Sequence, residues 1–176
     1  MVETKQYHPL LVAIHWFTAL IVLMLLAVGK LYLKGLPNNE AKLVPLAIHM
    51  VSGIIILVLT LIRLVVRSVT RKPAPAATGN RFLDWVGRGT HVLLYLLLLG
   101  MGVSGLGIAQ QAGLFDSVIK GAGELPVSFY AFPPRVGHGF VSTMLLAFIL
   151  LHVAAALYHQ FIRKDNLLMR MTFMRK

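Results

Sequence analysis

Four long apolar runs divide the sequence, and each is long enough to cross a lipid bilayer as an α-helix. They occupy residues 9–29, 46–66, 91–112 and 137–161. A spanning helix needs about 20 predominantly apolar residues, and the Leu and Ala content of these runs favours helices over strands. No alternating pattern typical of a membrane barrel occurs. The sequence therefore predicts an all-α integral membrane protein, with residues 1–176 forming a single four-helix bundle domain.

The first run could be taken for a cleaved signal peptide, because a short segment containing Lys5 precedes it. Its length, the His15-Trp16 pair inside it and the lack of an A-x-A-like cleavage site instead predict a retained span. Overall composition agrees with a membrane protein, since 57% of the residues are hydrophobic and the mean hydropathy is +0.77.

The formal charge of +11 is distributed unevenly between the two ends of the predicted bundle. Twelve cations lie at one end: Lys5, Arg63, Arg67, Arg71, Lys72, Arg81, Arg88, Arg163, Lys164, Arg170, Arg175 and Lys176. Five lie at the other: Lys30, Lys34, Lys42, Lys120 and Arg135. The positive-inside rule places both termini and the loop between the second and third helices in the cytoplasm. The charge thus indicates topology and contact with anionic lipid, not nucleic-acid binding.

Six of the seven histidines lie within or at the ends of the apolar runs, namely His15, His49, His91, His138, His152 and His159. Polar side chains are costly in hydrocarbon, so histidines there point to function. Histidine is also a common axial ligand of haem iron. Because the chain has no cysteine, covalent c-type attachment, disulfides and iron–sulfur clusters are excluded, and a bound haem must be non-covalent.

Depth in the membrane limits which histidines can share one haem. The first helix runs outward and places His15 in its inner third, while the second runs inward and places His49 near its outer end. His138 and His152 are fourteen residues apart on the fourth helix, which brings them to within about 40° of one face, about 21 Å apart in depth. We therefore predict an outer haem b between His49 and His138, and an inner haem b between His15 and His152.

A single buried histidine could simply form a hydrogen bond between helices. Four histidines at two matched depths, with no acidic partner in the spans, are better explained as ligands. Zinc would find only two ligands at each level instead of the usual four. His91 and His159 lie near the inner end, where they either bind or protonate a quinone headgroup beside the inner haem or anchor helix ends. We favour anchoring for His91. His159 stays open, and it could also replace His152 as the partner of His15.

Two segments outside the spans have expected positions. The outward loop, residues 113–135, is expected to lie partly among lipid headgroups as a lid, with its aromatic residues as interface anchors. The C-terminal tail, residues 163–176, is expected to lie along the inner surface. Glycines at positions 53, 100, 102, 105, 107, 137 and 139 would allow close backbone approach to a macrocycle, although such glycines more often serve helix packing.

His15-Trp16, His49, His138 and the stretch from Leu151 to Asp165 resemble bacterial cytochrome b561. The likeness extends more loosely to the cytochrome b subunits of nickel hydrogenases and formate dehydrogenases. It implies a di-haem protein of the bacterial inner membrane. For compact stand-alone members it implies superoxide oxidase activity, in which superoxide gives up one electron on the outer side and ubiquinone is reduced.

The outer cations Lys30, Lys34, Lys42, Lys120 and Arg135 would then concentrate superoxide, a small anion, although any single loop lysine could simply be solvated. Two other functions stay open: an anchor subunit that accepts electrons from a periplasmic dehydrogenase or hydrogenase, and a non-redox, histidine-lined carrier of protons or metal. Short outer loops leave little area for docking a large protein, which favours an enzyme that requires no protein partner.

Overall fold

The computed structural model describes residues 6–74, 79–121 and 124–173, and all of the regular structure within these ranges is helical. Four long helices dominate: α1 (Pro9–Ala27), α2 (Glu40–Val69), α3 (Arg81–Gln111) and α4 (Pro133–Leu157). Helices α1 and α4 continue as π-helical segments, Val28–Leu33 and Tyr158–Arg163. Shorter pieces are a π-helical turn at Phe115–Ile119 and 3-10 turns at Phe129–Ala131 and Leu167–Met171.

The four predicted spans are confirmed, since all four helices are long and apolar enough to cross a membrane. Three of them begin earlier than hydropathy alone indicated. The Asn39 side chain caps α2 by accepting from the Ala41 amide, and Asn80 caps α3 by accepting from the Phe82 amide. Pro133 begins α4. Caps and proline fix where a helix starts, so these three helices begin several residues before the apolar runs that mark them in the sequence.

Close backbone packing joins α1 to α2, α2 to α3 and α3 to α4. A Cβ at Gly102 would lie 2.8 Å from Leu57, which shows how closely α2 and α3 approach. In contrast, the described parts of α4 make little close backbone contact with α1 or α2. Side chains therefore bridge the space along α4 on these two sides.

Side chains at three depths repeat at seven-residue intervals along every helix. The outer layer is Gly29, His49, Gly105 and His138; the middle layer is Val22, Ile56, Leu98 and Leu145; the inner layer is His15, Arg63, His91 and His152. Seven residues make nearly two helical turns and rise about 10.5 Å, so all three positions of a helix share one face. The apolar middle layer forms a hydrophobic core between two polar layers.

The loops group at two ends of the bundle. At the end nearer the outer layer, the Asn38 side-chain amide donates to the carbonyl oxygens of Pro126 (3.0 Å) and Val127 (3.1 Å), joining the first loop to the third. Part of that third loop, residues 122–123, lies outside the described residues, as do residues 75–78 of the second loop. The first and third connections therefore meet over the outer layer.

The C-terminal segment covers the opposite end of the bundle. The Trp16 indole donates to the Met171 carbonyl (2.8 Å), the Gln6 side chain donates to the Met169 carbonyl (3.1 Å), and Arg170 donates to the Ala74 carbonyl (2.6 Å). The tail expected along the inner surface is thus hydrogen bonded beneath the helices as far as it is described. Its last residues, 174–176, lie outside the described part.

Candidate functional site

The outer histidine pair bridges α2 and α4. The imidazole centres of His49 and His138 are 6.4 Å apart, and their planes are inclined by 67°. Metal–nitrogen bonds of about 2.0 Å on opposite sides of one iron would place two imidazole centres roughly 6 Å apart. Both side chains are half-buried. The spacing therefore suits two axial ligands of one metal centre.

The inner histidine pair bridges α1 and α4. The ring centres of His15 and His152 are 6.3 Å apart, with an interplanar angle of 81°. His152 follows His138 by fourteen residues, so one face of α4 contributes to both pairs. The structure thus brings together the same two pairs that the depth argument selected.

Two glycines give the outer pair its space. A Cβ at Gly29 would lie 3.3 Å from Cε1 of His49, and a Cβ at Gly105 would lie 3.5 Å from Cε1 of His138. The backbones of the π-helical end of α1 and of α3 therefore pass directly beside the two imidazoles. Gly105 stood out in the sequence, whereas Gly29 did not, although its fourteen-residue spacing from His15 was a usable signal.

A hydrogen bond orients His138. Its Nδ1 lies 3.0 Å from the hydroxyl of Ser104, which donates its own hydrogen to the Gly100 carbonyl at 2.6 Å. The Ser104 oxygen is consequently the acceptor, His138 carries its proton on Nδ1, and Nε2 keeps a lone pair for a metal. For His49 the corresponding Nδ1 is buried without a hydrogen-bond partner in the described part of the chain.

A cavity of about 830 Å³ opens from the outer pair toward the outer loops. Most of its lining is apolar, and both His49 and His138 reach it. Its volume falls within the range of about 300–1,000 Å³ that is typical of small-molecule and cofactor sites. An apolar macrocycle with two histidine ligands fits this donor set and lining.

Four of the five outer cations line this cavity: Lys30, Lys34, Lys42 and Arg135. Lys42 is only 7% exposed, donates to Asn38 Oδ1 at 2.6 Å and lies 5.7 Å from the centre of the Phe129 ring. The Arg135 guanidinium lies 4.9 Å from the Tyr130 ring centre. Phe129 and Tyr130, expected as interface anchors, therefore also form part of the cavity wall and position its cations.

Lys120 differs from the other outer cations. It is exposed, lies outside the cavity lining and forms an ion pair of 2.7 Å with Asp116. The hydrogen bond to the Asp116 carboxylate raises the pKa of Lys120 above its ordinary value. Since a carboxylate compensates its charge, Lys120 contributes little to the electrostatic field at the cavity.

A third histidine joins the inner layer. The ring centre of His91 lies 5.2 Å from that of His152, and His91 Nδ1 lies 2.8 Å from the Gly87 carbonyl, to which it donates. At 5.2 Å the two rings are too close for an iron between them, which needs roughly 6 Å. The structure makes His91 a neighbour of the inner pair. From the sequence we had favoured an anchoring role at the helix end, which does not require this position.

His159 interacts with an acidic residue that follows it on the chain. Its Nδ1 lies 2.6 Å from Asp165 Oδ2, and the same carboxylate oxygen lies 3.7 Å from Arg163 Nε. The structure pairs His15 with His152 and does not bring His159 to it. Within the described ranges, no group of three or more His, Asp or Glu side chains is arranged to hold a free metal ion.

Arg63 also lies in the inner layer, although from the sequence it was interpreted only as one of the cations that determine membrane orientation. Its guanidinium lies 5.4 Å from the centre of the Tyr95 ring and interacts electrostatically with His15, His91 and His152. Arg63 follows His49 by fourteen residues, the same interval that separates His138 from His152. That interval is the feature of the sequence from which Arg63 could have been placed beside the inner pair.

Comparison with known proteins gives consistent, nearly full-length matches. The family model described as prokaryotic cytochrome b561 matches residues 6–174. A probable superoxide oxidase CybB from Yersinia pestis is 29% identical over 177 residues, covering 95% of this chain and 96% of its own. Cytochrome b562 from Cereibacter sphaeroides is 29% identical over 180 residues, covering 97% and 98%. Cytochrome b561 homolog 2 from Escherichia coli is 27% identical over 177 residues, covering 95% and 91%.

Proposed function

The chain belongs to the prokaryotic cytochrome b561 family, and we propose that it is a di-haem oxidoreductase that moves electrons from superoxide to ubiquinone. Membership makes it a haem b-binding electron-transfer protein, and its four apolar helices make it a multi-pass protein of the bacterial inner membrane. The number of haems, their ligands and the two substrates belong to the proposal.

The observation that carries the proposal is the pair of histidine couples with matching separations of 6.4 Å and 6.3 Å at two depths. In this assignment His49 and His138 hold the outer haem, and His15 and His152 hold the inner one. When bound, haem b supplies a one-electron Fe(III)/Fe(II) couple at each depth. The chain orients the His138 imidazole through Ser104, leaves room beside the outer pair at Gly29 and Gly105, and places apolar side chains in the middle layer.

We assign the outer layer to the periplasmic side and both termini to the cytoplasm. The positive-inside rule supports this orientation, because cations are concentrated at the end of the bundle that carries the termini. Lys5, Arg175 and Lys176 of that set lie outside the described residues. The cavity with its four cations then faces the periplasm.

Superoxide is the proposed donor because the cavity beside the outer pair is lined by cations and the substrate is a small anion. A relative of similar length is named as a probable superoxide oxidase. Two superoxide ions each lose one electron and leave as oxygen, and one ubiquinone gains the two electrons and two protons to become ubiquinol. His91, whose Nε2 keeps a lone pair, is available to accept a hydrogen bond from ubiquinol at the inner layer.

Visible spectroscopy of the purified protein tests this function. We expect two haem b per chain, reduction by an enzymatic superoxide generator, and reoxidation on addition of a ubiquinone analogue. Superoxide dismutase should abolish the reduction, which controls for direct transfer from the generator. A two-haem spectrum that does not respond to superoxide would exclude this donor and favour the anchor-subunit function. A colourless protein expressed with ample haem would overturn haem binding itself.

The Ser104 hydroxyl gives a second test, confined to the outer haem. Ser104→Ala removes the acceptor of the His138 Nδ1 hydrogen, and loss of such an outer-shell partner typically weakens metal binding about 10–100-fold. Because the acceptor makes the imidazole more electron-rich, its loss should raise the midpoint potential of the outer haem and leave the inner one unchanged. Redox titration measures both. Ser68→Ala, which removes only a bond to the Val65 carbonyl, is the control and should change neither potential.

A further inference from the structure

Arg63 is a charged side chain with unsatisfied hydrogen-bonding capacity inside the bundle. Its Nε is buried and has no hydrogen-bond partner, and the guanidinium forms no ion pair, among the described residues. The hydroxyl of Tyr95, whose ring packs against it, is likewise buried without a partner in that part of the chain. A half-buried cation without a counter-charge inside an apolar bundle is destabilising, so this arrangement points to an oxyanion as the acceptor.

The position of Arg63 limits which oxyanion can reach it. Arg63 occupies the inner layer of α2, Tyr95 lies one turn from His91 on α3, and the electrostatic partners of Arg63 include both members of the inner histidine pair. Its contact with Tyr95 turns it toward the bundle. Arg67 and Arg71 follow it on the chain and lie nearer the inner membrane surface, so they are better placed for phospholipid phosphates. The acceptor is therefore carried inside the bundle, beside the inner pair.

A neutral quinone would leave the charge of Arg63 uncompensated, whereas a carboxylate would neutralise it with charge-assisted hydrogen bonds. Haem b carries two propionate carboxylates, and the proposed inner haem lies between His15 and His152. We propose that Arg63, together with the Tyr95 hydroxyl, binds a propionate of the inner haem. This inference rests on the proposed function, because it requires a haem at the inner pair.

In this position Arg63 would affect the midpoint potential of the inner haem as well as hold its propionate. A fixed cation beside the haem disfavours the ferric form, which carries one more positive charge than the ferrous form, and so raises the midpoint potential. Removal of the cation should therefore lower the midpoint potential of the inner haem. The outer haem, about 21 Å away by helical rise, should be affected far less.

Arg63→Gln, Arg63→Lys and Tyr95→Phe test the contact in the full-length protein. For Arg63→Gln we expect both haems to be retained, a fall of about tenfold in the reduction equilibrium constant of the inner haem, equivalent to about 59 mV for one electron, and a shift of the propionate bending mode in resonance Raman spectra. Arg63→Lys keeps the charge, so its potential should lie closer to that of the parent while the bending mode still shifts. Tyr95→Phe should shift the mode in the same direction by a smaller amount.

The control is Arg71→Gln, an exposed cation beyond the end of α2, which should change neither readout. An unchanged bending mode in both Arg63→Lys and Tyr95→Phe, with two haems present, would overturn the propionate contact and leave the proposed function intact. A parent protein that lacks the inner haem would instead overturn the proposed function. If the effect of Arg63→Gln appears only in nanodiscs containing phosphatidylglycerol and not in phosphatidylcholine, the anion is the headgroup of an acidic lipid and the inference is wrong.

Discussion

His138→Ala is expected to remove the outer haem and keep the inner one, and His152→Ala is expected to do the reverse. Under the proposed assignment, each replacement deletes one of the two histidines that would hold a haem, and a single histidine would remain to bind it. The haem content per chain, measured as the pyridine haemochrome, should fall from two to one in each variant. Redox titration should then show which of the two potentials is missing. His49→Ala and His15→Ala should reproduce the two results, since they delete the partners.

His91 and His159 provide the control for this assignment of ligands, because neither is assigned as a haem ligand. His91→Ala and His159→Ala should keep both haems, because His91 is too close to His152 to share an iron with it and His159 is bonded to Asp165. Loss of the inner haem in His91→Ala would contradict the pairing and make His91 the ligand. Two haems in His138→Ala would refute the assignment of the outer site.

The helices and the two histidine pairs could be predicted because both depend on quantities that sequence gives directly. Hydropathy marks a span, and alternating helix direction converts position along the chain into depth. Two histidines fourteen residues apart on one helix then require partners at two levels, and His49 and His15 lie at these two depths, although the sequence left His159 open as an alternative to His152. That argument needs no knowledge of side-chain packing, so it could be made from the sequence alone. The structure brings the same residues together.

The environment of His91 could not be read in the same way. Hydropathy began the third span at His91, which made it a helix-end residue, whereas the Asn80 cap begins α3 at Arg81, ten residues earlier. His91 therefore lies almost three turns inside a helix. Lys42 was misjudged for the same reason: it was expected among loop cations, but α2 begins at Glu40 and buries it. In both cases a local hydrogen bond set the boundary.

The relative importance of the glycines was also beyond sequence reasoning. Gly102 serves the packing of α2 against α3 through its contact with Leu57, while Gly105, three residues later, faces His138. A methyl group added at Gly53 or Gly137 would meet no described atom of a neighbouring element within 4 Å. A glycine in a span indicates close approach, but only the offset between neighbouring helices decides what approaches.

Neutralising two cavity cations together is expected to slow reduction by superoxide. In the variant carrying both Lys34→Gln and Arg135→Gln, we expect the second-order rate constant for haem reduction to fall about tenfold at low ionic strength, within the range known for electrostatic steering. The loss should shrink as salt is added, because the Debye length falls to about 8 Å at physiological ionic strength. Stopped-flow or pulse-radiolysis measurements at several salt concentrations provide both values.

Lys120→Gln distinguishes steering into the cavity from a simple effect of net charge. Lys120 lies on the same side of the bundle as the other outer cations, but it is paired with Asp116 and does not line the cavity. If field lines converge on the cavity, this variant should react at nearly the parent rate even at low salt. A loss equal to that of Lys34→Gln alone would mean that overall charge alone attracts the anion. An unchanged rate in the double variant would mean that superoxide reaches the haem by another route, since no other cluster of cations on that side of the described structure surrounds a path to His49 and His138.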